Sequence, residues 1–147
     1  MLEELVKAKE EKQTIRFAEP PAHITAQLNS PDKMVVTVPR SKNQDLIILN
    51  LDKGEFFIGR SEEGVEVDIN LVPYGASRLG VSRKHARIFF SDNTWMVEDL
   101  GSTNGSYLNR RHMTANTPNI IRHGDELVFG KMLVQVYFSF DASTAGF

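Results

Sequence analysis

A succession of short apolar runs, separated by turn-forming residues, begins at Lys33 and continues almost to the end of the chain. The runs are rich in Val, Ile and Phe, and Gly, Asn, Asp or Pro stands between them. β-Branched and aromatic side chains suit a pleated surface, and the interrupting residues suit tight turns. The sequence therefore predicts an all-β fold.

The number of these runs favours an antiparallel β-sandwich, in which two sheets bury their inner faces against each other. Residues 47–49 and 134–138 are apolar on both faces of their strands, so we expect both strands to be central. The predicted strands are residues 34–38, 45–51, 55–59, 67–71, 86–90, 94–99, 106–108, 126–129 and 133–140.

The first part of the chain has a different character. Leu2, Leu5 and Val6 could form one face of a short helix, but a charged run and the pair Pro20-Pro21 follow. So few apolar residues make a marginal helix. We expect residues 1–32 to be a flexible or helical N-terminal extension, residues 33–140 to be the folded domain and residues 141–147 to be a tail.

Composition excludes several classes of function. A net charge of −2 over 147 residues argues against nucleic acid as a partner, because binding to a phosphate backbone needs a concentrated basic surface. No apolar run is long enough to span a membrane, and no signal sequence is evident. The absence of cysteine excludes disulfides and thiolate metal sites. We expect a cytoplasmic protein without a cofactor, a nucleic-acid partner or a membrane partner.

Polar loop clusters stand out between the predicted strands. They read GRS at residues 59–61, VSRKH at 81–85 and LGSTNGS at 100–106, and GDEL at 124–127 is followed by Gly130. Loops at the end of a sandwich are free to carry recognition. Function is therefore expected in these loops.

The chemistry of the clusters suits an anion on an extended peptide. Arg60 offers a planar fork of donors, Ser82 adds a hydroxyl and Arg83 adds positive charge. Thr103 can supply a further donor, and the amide of Asn104 can both donate to and accept from a peptide backbone. Together these residues predict a clamp for phosphate with a reader for the main chain beside it.

In order and spacing the four clusters resemble the forkhead-associated (FHA) domain, and the resemblance extends from about residue 34 to residue 140. It implies an FHA/SMAD-like sandwich of about eleven short strands that binds phosphothreonine in another protein and has no catalytic activity. Its partner would be a phosphothreonine-containing protein or peptide, such as a Ser/Thr kinase or its substrate.

The resemblance also assigns roles to individual residues. Arg60, Ser82 and Thr103 stand where the family contacts the phosphate, and Asn104 stands where it contacts the ligand main chain. Arg83 follows the serine, where members often place another contact with the ligand. The resemblance gives loop-supporting roles to Gly59, His85 and Gly105.

One position departs from the family pattern. Some members carry a basic residue two positions before the serine, where it reads an acidic side chain of the ligand, and this chain has Gly80 there. Arg78, Arg110 and Arg111 could replace that basic residue from neighbouring loops. A preference for an acidic ligand is therefore left open.

Other functions are less consistent with these residues. Ser82 and His85 could be a nucleophile and its base, but there is no G-x-S-x-G motif and the sequence identifies no acid to orient the histidine. The four histidines have no metal-ligand spacing, so no metal site is predicted. The main alternative is a phosphate-independent FHA scaffold or oligomerisation module that binds partners through a sheet face.

Overall fold

The computed structural model describes residues 31–42 and 46–140. Most of the predicted extension and the whole predicted tail lie outside the described residues. Within them the chain forms eleven strands and a 3₁₀ turn, Val72–Tyr74. The strands are β1 (Lys33–Thr37), β2 (Ile47–Asn50), β3 (Glu55–Gly59), β4 (Ile69–Asn70), β5 (Lys84–Ser91), β6 (Thr94–Asp99), β7 (Ser106–Leu108), β8 (Arg111–His112), β9 (Asn119–Ile120), β10 (Glu126–Phe129) and β11 (Met132–Ser139).

The strands form two sheets, which confirms the predicted sandwich. The first sheet has the order β2-β1-β11-β10-β7-β8, and the second has the order β4-β3-β5-β6-β9. All the strand pairs are antiparallel except β3 with β4, which run parallel. Residues 60–68 make this arrangement possible, because they carry the chain back along β3 before β4 begins.

The core lies between the inner faces of the two sheets. The buried residues of each strand alternate with outward-facing ones, as in Phe56 and Ile58 of β3 and in Leu127 and Phe129 of β10. Each fully buried aliphatic or aromatic side chain of this kind stabilises the fold by about 1.5–3 kcal/mol. The core therefore fixes the strand ends from which the loops leave.

One prediction about strand position was correct and one was wrong. Strand β11 is central in its sheet, as its apolar character indicated. Strand β2 lies at an edge, and its Ile48 is 39% exposed. An apolar residue on the outer face of an edge strand has the same sequence signature as one in a central strand, so the pattern could not separate the two.

Among the residues that the structure describes, no helix has the length and apolar character that a bilayer crossing requires.

Candidate functional site

The strand register brings the predicted site loops to one end of the sandwich. Gly59, at the end of β3, is paired with Lys84 at the start of β5, and Ala86 of β5 is paired with Asp99 at the end of β6. The GRS, VSRKH and LGSTNGS clusters therefore adjoin neighbouring strands at the same end of the sheet. Three loops that are distant in sequence form one surface.

Arg60 is held by the loop that precedes β5. Its backbone N–H donates to the carbonyls of Ser82 and Arg83, at 3.2 and 3.0 Å, and its Nε donates to the carbonyl of Val81 at 3.0 Å. The side chain is 29% exposed. These bonds fix the direction of the guanidinium and leave part of it open to solvent.

Glu62 joins the two arginines of the predicted clamp. One carboxylate oxygen lies 2.8 Å from Nη1 of Arg60, and the other lies 3.3 Å from Nη1 of Arg83. Glu62 was not among the site residues predicted from the sequence. In the free protein Glu62 thus supplies the negative charge that a bound phosphate would supply.

His85 ties the second loop to the third. The ring is fully buried, its Nδ1 accepts a hydrogen bond from the backbone N–H of Ser82 at 2.9 Å, and its Nε2 lies 2.9 Å from the carbonyl of Gly105. Because Nδ1 accepts, the proton must be on Nε2, which donates to Gly105. The neutral ring is therefore the form that fits both loops.

Burial lowers the pKa of His85 below its usual 6.5, although the hydrogen bond to Gly105 and the charge of Asp99 act in the opposite direction. Protonation would place a second donor against the N–H of Ser82. The hydrogen bonds to the two loops consequently favour the neutral ring, and the neutral ring stabilises the positions of the loops.

Asp99 shapes the third loop from inside. One oxygen of its buried carboxylate accepts hydrogen bonds from the backbone N–H groups of Gly101 and Ser102, both at 3.0 Å, and the other accepts from the hydroxyls of Ser102 and Ser106. Burial acts to raise the pKa of Asp99, but these hydrogen bonds outweigh it and hold that pKa below 3.8. Asp99 was not among the predicted site residues, although an Asp close before a turn, here two positions before Gly101-Ser102, is a known signal for such side-chain to backbone bonds.

Thr103 and Asn104 contact the second loop. The backbone N–H of Thr103 donates to Oγ of Ser82 at 3.2 Å, and Nδ2 of Asn104 donates to the carbonyl of Gly80 at 2.9 Å. Because Oγ of Ser82 accepts this bond, its hydroxyl can still donate to another group. The exposed side of the two loops presents Ser82, Thr103 and Asn104 beside the two arginines.

Two glycines are required by this packing. A Cβ on Gly59 would lie 2.1 Å from the carbonyl oxygen of Arg83, so only glycine allows β3 to approach the loop before β5 so closely. Gly80 has φ +77°, and a Cβ there would lie 2.7 Å from Nδ2 of Asn104. Any other residue at this position would adopt a strained backbone conformation and displace the Asn104 side chain.

The arginines considered as substitutes lie apart from each other. Arg78 folds over Gly75 in the loop before β5, with its guanidinium 2.9 Å from the position that a Cβ on Gly75 would take. Arg110 is 88% exposed and lies 3.7 Å from Glu126, and Arg111 is exposed in the edge strand β8. Only Arg78 belongs to the loop that carries Gly80 and Ser82.

The arrangement of Ser82 and His85 differs from that of a nucleophile with its base. An acid that the sequence did not identify is present, since Asp99 lies 3.8 Å from Nε2 of His85. However, the ring bonds the backbone N–H of Ser82 and not its hydroxyl, and the other nitrogen serves Gly105. Within the described residues there is also no cluster of three or more His, Asp or Glu that could hold a metal ion.

Comparisons with known proteins agree with the resemblance. The family model of the FHA domain matches residues 56–130. FraH of Nostoc sp. is 31% identical over 74 residues, which are 50% of this chain and 25% of FraH. FhaB of Mycobacterium tuberculosis is 54% identical over 33 residues, which are 22% of this chain and 21% of FhaB. The chain thus spans a quarter or less of the length of these relatives.

Solved structures share the fold. The N-terminal FHA domain of Saccharomyces cerevisiae Rad53p, solved with a phosphothreonine peptide, superposes with a TM-score of 0.59 and is 20% identical. The match covers 77% of this chain and 97% of that domain. At this level of identity the likeness concerns the fold alone.

Proposed function

The chain belongs to the FHA domain family, and from that premise we propose that it binds phosphothreonine in an extended segment of another protein. The observation that carries the proposal is the convergence of five polar residues from three loops on one exposed surface, where hydrogen bonds tie the loops together. These residues are Arg60, Ser82, Arg83, Thr103 and Asn104.

Each residue has a role that its chemistry supports. Arg60 and Arg83 would bind the phosphate oxygens in place of Glu62, and the Ser82 hydroxyl and the Thr103 side chain would donate to the same group. Charge-assisted hydrogen bonds of this kind contribute about 1.5–3 kcal/mol each. Asn104 would bond the main chain of the ligand.

The setting of this activity is also part of the proposal. We assign the domain to residues 33–140, and we expect a cytoplasmic binding module without enzymatic activity that connects a Ser/Thr kinase or its substrate to an assembly. The phosphopeptide part of this proposal is supported by the Rad53p FHA domain, which was solved with a phosphothreonine peptide.

Calorimetric titration tests the proposal with one peptide in three forms, carrying phosphothreonine, phosphoserine or unmodified threonine. We expect binding of the phosphothreonine form, weaker binding of the phosphoserine form and none of the unmodified form. Arg60→Ala should abolish binding, and Arg122→Ala should leave it unchanged, since Arg122 lies before β10, at the end of that strand remote from the site.

The alternative of a phosphate-independent scaffold gives a different result. Binding or self-association that is equal for all three peptide forms and survives Arg60→Ala would exclude the phosphothreonine proposal. Thermal unfolding of each variant checks that the fold is intact.

A further inference from the structure

A small apolar cluster lies on the outer face of the first sheet, away from the main core. The neighbours of Val35 in β1, Met34 and Val36, belong to the core between the sheets, so Val35 points to the opposite side. There it packs with Leu46, which precedes β2, and with Tyr137 of β11, to which the ladder pairs it. We call Val35, Leu46 and Tyr137 the outer cluster.

The outer face around this cluster is more deeply buried than a solvated sheet face. Val35 is 0% exposed, and Thr37, on the same face of β1, is 4% exposed. The second sheet behaves differently, because Arg87 and Phe89 on the outer face of its central strand β5 stay partly exposed. An antiparallel sheet can leave one face to water, and the first sheet does not do so at β1.

A further layer is needed to explain this burial. Side chains that stand together on one face shield one another sideways, whereas shielding from above needs another element. Among the described residues, His123 contacts the Tyr137 ring at 5.5 Å, but it comes from the β10 side of β11 and not from above β1. Burial also raises the pKa of Tyr137 above its usual 10.0. The covering element is therefore sought in the part of the chain outside the described residues.

The N-terminal extension joins the sheet next to this face. The backbone N–H of Asp32 donates to the carbonyl of Ser139 at 3.1 Å, and its carbonyl accepts from the N–H of Leu51 at 3.0 Å. Val35 lies only about 10 Å further along the strand. Residues 29–31 are Asn, Ser and Pro, which favour a reversal of the chain. The residues before them could then run back over β1.

The sequence before this turn supplies suitable apolar groups. Ile24 and Leu28 are four residues apart, so they would share one face of a helix, and the pair Pro20-Pro21 suits the start of such a helix. The other segment near this end of the sheet is the tail, residues 141–147, whose one large apolar side chain is Phe147. The extension is the better match to the outer cluster.

We propose that residues 20–28 fold back over the outer face of the first sheet and cover the outer cluster with Ile24 and Leu28. A helix of this length is marginal alone and would be stabilised by the packing. The folded unit would then include part of the extension, and this face would be closed to a second copy or to another protein. The inference does not rest on the proposed function, because the start of β1 and the loops of the phosphate site lie at opposite ends of the first sheet.

Nuclear Overhauser contacts between methyl groups test the inference on the full chain. With the Ile, Leu and Val methyls labelled, we expect contacts from Ile24 or Leu28 to Val35 and Leu46. No such contacts should reach Ile120, which is exposed on the outer face of the second sheet.

Three results of this experiment would overturn the inference. Contacts to the outer cluster from Phe147 would assign the cover to the tail. Contacts seen only between differently labelled copies in a mixed sample would assign it to a second molecule. The absence of any contact from Ile24 or Leu28 to the cluster would mean that the extension does not pack there.

A matched pair of variants gives an independent test. Leu28→Glu places a charge on the packed face, so it should lose the methyl contacts, lower the urea midpoint and return the pKa of Tyr137 toward 10.0. Ala26→Glu adds the same charge on the opposite face of the helix and should change none of these. Phosphopeptide affinity should be equal in both variants. If Leu28→Glu matches Ala26→Glu in urea midpoint and in the Tyr137 pKa, the inference is wrong.

Discussion

At the scale of single residues, the predicted clamp is occupied by an acid of the protein itself. Glu62 is fixed by a short turn in which its backbone exchanges two hydrogen bonds with Val65, both at 2.9 Å. The turn directs the carboxylate to Arg60, which is partly buried, and to Arg83, which is exposed. A phosphate that enters the clamp must therefore compete with this carboxylate.

Glu62→Gln should strengthen phosphopeptide binding about two- to tenfold, because exposed ion pairs of this kind contribute about 0.2–1 kcal/mol each and the carboxylate also repels phosphate. The control is Glu63→Gln, which removes a neighbouring exposed acid and changes the net charge by the same amount. Calorimetry on both variants isolates the effect of position. Weaker binding by the Glu62→Gln variant would mean that the acid holds the arginines in a favourable geometry instead of competing.

Residue identity alone predicted part of this site. Arg60, Ser82, Thr103 and Asn104 carry polar groups suited to a phosphopeptide, and the loops bring them to one surface. Glu62 and Asp99 were missed for different reasons. Nothing in Ser61-Glu62-Glu63 says which acid turns back to the arginines, whereas Asp99 precedes a Gly-Ser turn and could have been found from that signal.

At the scale of elements, an irregularity in the ladder between β3 and β5 positions the loop-supporting histidine. Ile58 is paired with Ala86 and Gly59 with Lys84, so one extra residue, His85, is accommodated in β5. At this β-bulge the consecutive residues His85 and Ala86 are both buried, and the regular alternation of the ladder is interrupted between them. The predicted strand began only at residue 86, because alternation fails at a bulge.

Gly59→Ala should destabilise the domain by about 1–3 kcal/mol, because the new methyl would overlap the Arg83 carbonyl and push the bulged strand away. The measurement is urea unfolding of both proteins. Gly54→Ala is the control, since a Cβ there would meet nothing within 4 Å, and it should change stability by less than about 0.5 kcal/mol. Equal stabilities of the two variants would argue against the close approach.

Two short strands of the described fold were not predicted from the sequence. Strands β8 and β9 have two residues each, Arg111–His112 and Asn119–Ile120, and neither has an apolar alternation. They form by pairing with the backbone N–H and C=O groups of β7 and β6. Backbone pairing of this kind requires no particular pattern of side chains. The long strands β5, β6 and β11 were found because their inner faces supply the core.

At the scale of the whole molecule, the buried neutral histidine links stability to pH. The pKa of His85 is lowered in the folded state, so the unfolded chain binds the proton more readily. Its stabilising contribution is complete above the unfolded pKa of about 6.5 and is lost as pH falls from there through the folded pKa. Asp99, with its pKa below 3.8, adds a loss only at still lower pH.

The free energy of unfolding should therefore fall as pH is lowered from about 7 toward 5. His85→Gln should be less stable at pH 7 by about 1–3 kcal/mol, since a buried hydrogen-bonded group is disturbed, and should show a smaller loss over this range. Urea unfolding at a series of pH values measures both, with His112→Gln as an exposed control. If the free energy of unfolding changed with pH equally in all three proteins, the contribution of His85 would not depend on pH.

The bonds from His85 to Ser82 and Gly105 have a consequence for the entropy of binding. Because this buried ring and the Asp99 carboxylate already restrict the two loops, most of their conformational freedom is lost when the chain folds. A ligand that docks on them has to lose only its own freedom and that of the exposed arginines. The proposed phosphopeptide would therefore need few contacts to bind this surface.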